Sequence, residues 1–95
     1  MIARADAHIN APQELNIYQA ADWWRQMQQV LQVQPSPIID CSQTLEIDGA
    51  GLQLLLVSAH QVHKSGGTFS LWGLNEPLQR KLSEFGVLSV FSIQA

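Results

Sequence analysis

A segment of helical length stands between two pieces of strand length, and this spacing constrains the chain more than any other feature. Ile38-Ile39-Asp40-Cys41-Ser42 is an apolar run too short for a helix, and Thr68-Phe69-Ser70-Leu71-Trp72 alternates with period two. Between them, residues 49–65 carry apolar side chains at helical spacing, and Gly66-Gly67 closes the segment by supplying the left-handed conformation that helix ends favour. Strand, helix and strand of these lengths join as a right-handed crossover between parallel neighbours.

The rest of the chain repeats the theme. Leu15-Asn16-Ile17-Tyr18 alternates and predicts a short strand. Residues 20–32 predict a helix with Ala20, Trp23, Trp24, Met27, Val30 and Leu31 in one stripe, so both tryptophans are expected to be partly buried against the sheet. Gln34-Pro35-Ser36-Pro37 stops it. Asn75 is placed to cap a third helix, with Pro77 in its first turn and Leu78, Leu82 and Phe85 on one face. Gly86 ends that helix, and Val90, Phe91 and Ile93 predict a last strand. His8-Ile9 adds an edge strand, while the first eight residues otherwise carry no readable pattern. The order β-α-β-α-β-α-β predicts an α/β fold, and 95 residues suit one domain over 1–95.

Charge narrows the function. Only 14% of residues are Asp, Glu, Lys or Arg, about half the usual share, and the twelve glutamines nearly equal the thirteen charges. A surface this weakly charged is cheap to desolvate, which suits a protein covered by a partner. The net charge of −3 and the scattered basic residues Arg4, Arg25, Lys64, Arg80 and Lys81 argue against nucleic acid. No apolar run approaches the length of a membrane span, and a single cysteine, Cys41, allows no disulfide within the chain, so the cytoplasm is the expected compartment.

Chemistry-bearing patterns are sparse. Gly49-Ala50-Gly51 opens a helix after a strand, but a dinucleotide fingerprint requires a small residue where Leu54 stands, so the expected role of the glycines is steric. His60 and His63 lie at i, i+3 without a third ligand at diagnostic spacing and are expected to be packing residues, His63 within the stripe of Leu52, Leu55, Leu56, Ala59 and Val62. Cys41, amid an apolar strand, is expected to be an inert core residue. No set of groups converges on catalysis, so no metal, cofactor or enzymatic activity is expected. Leu54 and Val57 project away from the main stripe, toward either a neighbouring helix or a partner.

The segment Asp40-Cys41-Ser42-Gln43-Thr44-Leu45-Glu46-Ile47-Asp48-Gly49-Ala50-Gly51-Leu52 resembles the STAS family, the fold shared by anti-sigma factor antagonists and sulfate-transporter tails. The resemblance lies in a strand ending Asp-apolar-Ser, a short loop, and Asp followed by small residues and Gly-Leu opening a leucine-rich helix. It implies a four- to five-stranded, mostly parallel sheet with three helices packed on one side, and a non-catalytic domain that docks on a protein partner. Candidate partners are an anti-sigma factor or switch kinase, a chemotaxis kinase system, or the ATPase of an ABC-type lipid transporter. The docking residues it implies are Ser42, Gln43, Thr44, Asp48, Gly49, Ala50, Gly51 and Leu52, with Leu54 and Val57 as apolar extensions. Many members are phosphorylated on a hydroxyl just after the motif aspartate. Gly49 and Ala50 stand at those positions and accept no phosphate.

Overall fold

The computed structural model describes residues 7–94; the expectations that fall on residues 1–6 and on residue 95 lie outside them. The elements run β1 (Ile9–Asn10), β2 (Glu14–Leu15), α1 (Ile17–Val33), β3 (Ile38–Asp40), β4 (Glu46–Ile47), α2 (Gly49–Lys64), β5 (Ser70–Trp72), α3 (Glu76–Glu84) and β6 (Ser92–Gln94). One parallel sheet has the order β1-β3-β5-β6, and β2 and β4 form a separate parallel pair. Because the strand order advances in one direction, right-handed crossovers put all three helices on one side of the sheet.

Register explains the core. Ile9, Ile39, Leu71 and Ile93 are paired across the four strands, and this apolar row meets the helices. The next row, Asn10, Asp40, Trp72 and Gln94, projects to the opposite face, as the period of two requires. Above the apolar row pack Trp23 and Met27 of α1, Leu55, Ala59 and Val62 of α2, and Leu78 and Leu82 of α3.

Local chemistry sets the helix ends. Asp48 caps α2 by accepting the Gly51 amide at 2.9 Å, and Asn75 caps α3 by accepting the Leu78 amide at 2.9 Å. Gly66, with φ of 84°, turns the chain out of α2 while the Gly67 amide returns to the Val62 carbonyl.

Four expectations are corrected. The strand predicted over Leu15-Asn16-Ile17-Tyr18 ends at Leu15, because the Asn16 side chain accepts the amides of Tyr18 and Gln19 and starts α1 there. The polar loop before α2 contains β4, whose two residues are too few to show a period. The last strand begins at Ser92, after a 3-10 turn over Leu88–Val90. Phe85 keeps its expected place beside Leu78 and Leu82 at one small gap, although it follows the last residue of α3 and is 60% exposed. His63 is exposed, since α2 buries Gly51, Leu54, Leu55, Ser58, Ala59 and Val62, a stripe rotated away from the histidine.

Candidate partner-docking site

The start of α2 is built against the chain's own backbone. A Cβ on Gly51 would lie 2.8 Å from the Leu15 carbonyl carbon, so the missing side chain lets α2 rest on β2. Gly51 is therefore buried, and its amide is taken by Asp48. Gly49 differs: it is exposed, and a Cβ there would meet nothing within 4 Å. The amides of Gly49 and Ala50 fall in the first turn, where a helix offers them no internal acceptor.

The residues named from the sequence divide among three places. Ala50, Leu54 and Val57 border a mostly apolar groove between α1 and α2, of about 570 Å3, completed by Ala20, Ala21, Trp24, Leu56 and one polar side chain, Gln53. Leu54 is only 9% exposed and belongs chiefly to the core, whereas Val57 is 53% exposed. Of the two coverings open for this pair, Leu54 is thus met within the domain and Val57 is left outside it. On the other flank of the α2 start, Asp48 and Leu52 face α3 across a small gap bordered by Leu78, Lys81 and Phe85. The Lys81 ammonium donates to the Ile47 carbonyl and ties α3 to this loop.

Ser42, Gln43 and Thr44 lie apart from the groove residues. Ser42 is exposed, its amide and hydroxyl both donating to Asp40 Oδ1, and it packs beside Gly73. Gln43 is also exposed and reaches the Ala11 carbonyl at 3.3 Å. Thr44 is wholly buried, with its amide on the Cys41 carbonyl and its own carbonyl accepting from Asn75, so it supports the loop from within.

Sequence reasoning missed the α1 side. Trp23 is 3% exposed and donates through Nε1 to the Asn10 carbonyl, as a sheet-facing residue does. Trp24 is half-buried and turns its other edge to the groove. One turn before Ala21, Tyr18 is 87% exposed, with Ile17 beside it. The adjacent alanines three and four residues before Trp24 were the available signal, since small residues beside a large one shape a groove. Cys41 is buried, and loss of hydration, then the neighbouring Asp40 carboxylate, raise its thiol to about 12. Both His60 and His63 are exposed, and among the described residues no three His, Cys, Asp or Glu side chains gather as a metal site.

The fold and the helix start together define a class: a one-sided parallel α/β domain whose second helix opens on Asp48 and a bare Gly-Ala-Gly segment. The chain belongs to the STAS domain family: the family model described as "Mlab, STAS domain" matches residues 2–90. No curated protein matches the sequence. Among solved structures, a candidate anti-sigma factor antagonist of Thermotoga maritima superposes with a TM-score of 0.82 at 23% identity, covering 100% of this chain and 83% of the other. A sulfate transporter family protein from Wolinella succinogenes gives 0.73 at 19% identity, over 99% of this chain and 80% of that one. At these identities the likeness is one of fold. Among the described residues no helix is long and apolar enough to cross a membrane.

Proposed function

We propose that this chain is a non-catalytic regulatory module of the anti-sigma-factor-antagonist type. It docks on a signalling protein, a switch kinase, an anti-sigma factor or a chemotaxis kinase system, where α1 and α2 start, and it does so without a Ser/Thr phosphoswitch. The observation that carries the reading is the apolar surface at that start. Ala50, Val57, Ala21 and the edge of Trp24 border one groove, with exposed Ile17 and Tyr18 a turn away. Gly49 and Ala50 offer no hydroxyl, Thr44 is buried, and Ser42 lies by Gly73, so phosphate has no seat at the helix start. Binding is then constitutive or governed by the partner. The single, buried thiol suits action in the reducing cytoplasm.

A second reading, an accessory subunit that binds the ATPase of an ABC-type lipid transporter, has its own support. Its pattern, Asp-x-[Ser/Ala]-Gly-Leu, is met by Asp48-Gly49-Ala50-Gly51-Leu52, and the matching family model bears the name Mlab. Affinity capture from native lysate, with wild type and Ala50→Arg in parallel, tests both. A protein retained by wild type and lost by the variant supports docking at this surface, and its identity, kinase or ATPase, chooses between the readings. Equal retention by the two proteins refutes the location.

A further inference from the structure

The two edges of the main sheet are finished differently, and the difference marks an interaction surface independent of the α1–α2 groove. At the β1 edge the Ala11 amide donates to the Asp40 carbonyl, which turns the Asn10 carbonyl outward, and Trp23 Nε1 takes it at 3.0 Å. Pro12 follows this two-residue strand. A further strand could pair there only by breaking the indole bond, and Pro12 would offer it no amide. The β6 edge has no such device. The Ser92 amide donates to the Phe69 carbonyl and the Gln94 carbonyl accepts from the Gly73 amide, so both residues turn their backbone toward β5. Ile93 lies between them, and its N–H and C=O therefore point out of the sheet. Among the described residues no hydrogen bond takes up either group.

The chemistry of the edge selects what can pair with it. From Phe85 to Ala95 the sequence has no charged side chain and no proline, the residues that ordinarily keep sheet edges apart. An identical edge therefore approaches without like-charge repulsion. Pairing of β6 with β1 of another copy is closed by the Trp23 bond, which leaves β6 against β6, an arrangement that a two-fold axis closes as a dimer. With the axis at Ile93, each Ile93 N–H meets the Ile93 carbonyl of the other copy, and both outward groups are satisfied. Across the same axis Ser92 stands opposite the second copy's Gln94, and Gln94 opposite its Ser92. These two side chains are a matched donor and acceptor, since within one chain Gln94 Nε2 already donates to Ser92 Oγ at 2.8 Å. On the helix side Leu88, Phe91 and Ile93 border a groove of about 500 Å3 that offers the second Ile93 an apolar wall.

We propose that β6 pairs with β6 of a second copy of this chain, antiparallel about a two-fold axis at Ile93, joining two four-stranded sheets into one continuous sheet. Sedimentation equilibrium of the full chain, up to roughly 1 mM because a three-residue edge makes a weak contact, tests it. Wild type is expected to show a monomer–dimer equilibrium. Ile93→Pro removes the outward N–H, at a position where an edge strand tolerates proline, and should abolish the dimer. The double variants S92E/Q94E and S92K/Q94K each set like charges opposite one another and should weaken self-association about fivefold at low salt. Mixed in equal amounts, the two should recover a dimer at least as tight as wild type, because each acid then faces a base. Circular dichroism verifies the folding of every variant, and if Ile93→Pro does not fold the charge variants decide alone. A monomeric wild type at every concentration would leave the edge to a strand of another protein and overturn the proposal. A dimer indifferent to the variants, or a mixture that fails to re-form it, would overturn it as well.

Discussion

Gly51 and the Leu15 carbonyl are so close that a single methyl group could not be placed between them, which makes the glycine at the start of α2 a packing requirement of the fold. Gly51→Ala is expected to push α2 off β2 and cost about 2 kcal/mol, the usual scale of overpacking. In a domain this size that lowers the melting temperature by roughly 10 °C. Gly49→Ala, with open space around its Cβ and no positive φ, should be neutral or stabilise by about 0.4–1 kcal/mol. Thermal unfolding of the two variants side by side checks the contrast, and equal effects would refute it.

Ala50→Arg addresses the surface directly. The long cation would occupy the groove between α1 and α2, and partner binding should weaken by at least about 2 kcal/mol, a hot-spot-sized loss. The fold should survive, because Ala50 borders the groove and lies outside the buried core. Calorimetry with the captured partner, together with circular dichroism, reads both quantities. Unchanged affinity in a folded variant would remove the site from this face.

The neighbouring tryptophans should separate. Trp23 is buried and hydrogen-bonded to the Asn10 carbonyl at 3.0 Å, so Trp23→Ala is expected to cost about 3–5 kcal/mol. Trp24 is only partly buried and borders the groove, so Trp24→Ala should cost less than Trp23→Ala while weakening partner binding. Urea denaturation measures the first difference. A larger stability loss at Trp24 than at Trp23 would contradict the packing described here.

Cys41 predicts an alkaline signature. Its folded thiol is raised to about 12 from the ordinary 9.0, mainly by burial. The folded state therefore holds its proton where the unfolded chain loses it, so this contribution is fully present below pH 9 and is lost as pH rises toward 12. Within that window stability falls steadily as the unfolded chain releases the proton that the folded chain keeps. Cys41→Ala should flatten the decline in a denaturation series across pH 8–11, and an unaltered slope would show the thiol to be accessible. Native protein should also react slowly with thiol reagents at pH 8.

Phosphorylation supplies the last test. Protein purified from its own cells should give one unmodified intact mass, whereas a stoichiometric phosphate on Ser42 or Thr44 with lost binding would overturn constitutive docking. Thr44 is the stringent case, because its hydroxyl is buried and a kinase could reach it only by opening the loop.

Much of the architecture was legible in the chain itself, because its signals are local. Gly66-Gly67, Asn75 and Gly86 mark helix ends through their own φ preference or capping oxygen, and the three long apolar patterns carry their periods within a few turns. The order of elements and the one-sided parallel sheet follow from those signals and the handedness of the crossovers. The motif Asp48-Gly49-Ala50-Gly51-Leu52 pointed to the family for the same reason, since its cap and small residues are read in order. What only tertiary structure decided depends on residues distant in sequence. Whether Leu54 or Val57 is covered depends on how α2 rolls between α1, α3 and β2, and no period within α2 encodes that roll. The two-residue strands β2 and β4 exist because Leu15 and Ile47 are brought side by side, and each is too short to announce itself. Gly49 and Gly51 look alike in the sequence, yet one faces open space and the other a carbonyl 36 positions earlier, a difference made only when the chain closes on itself.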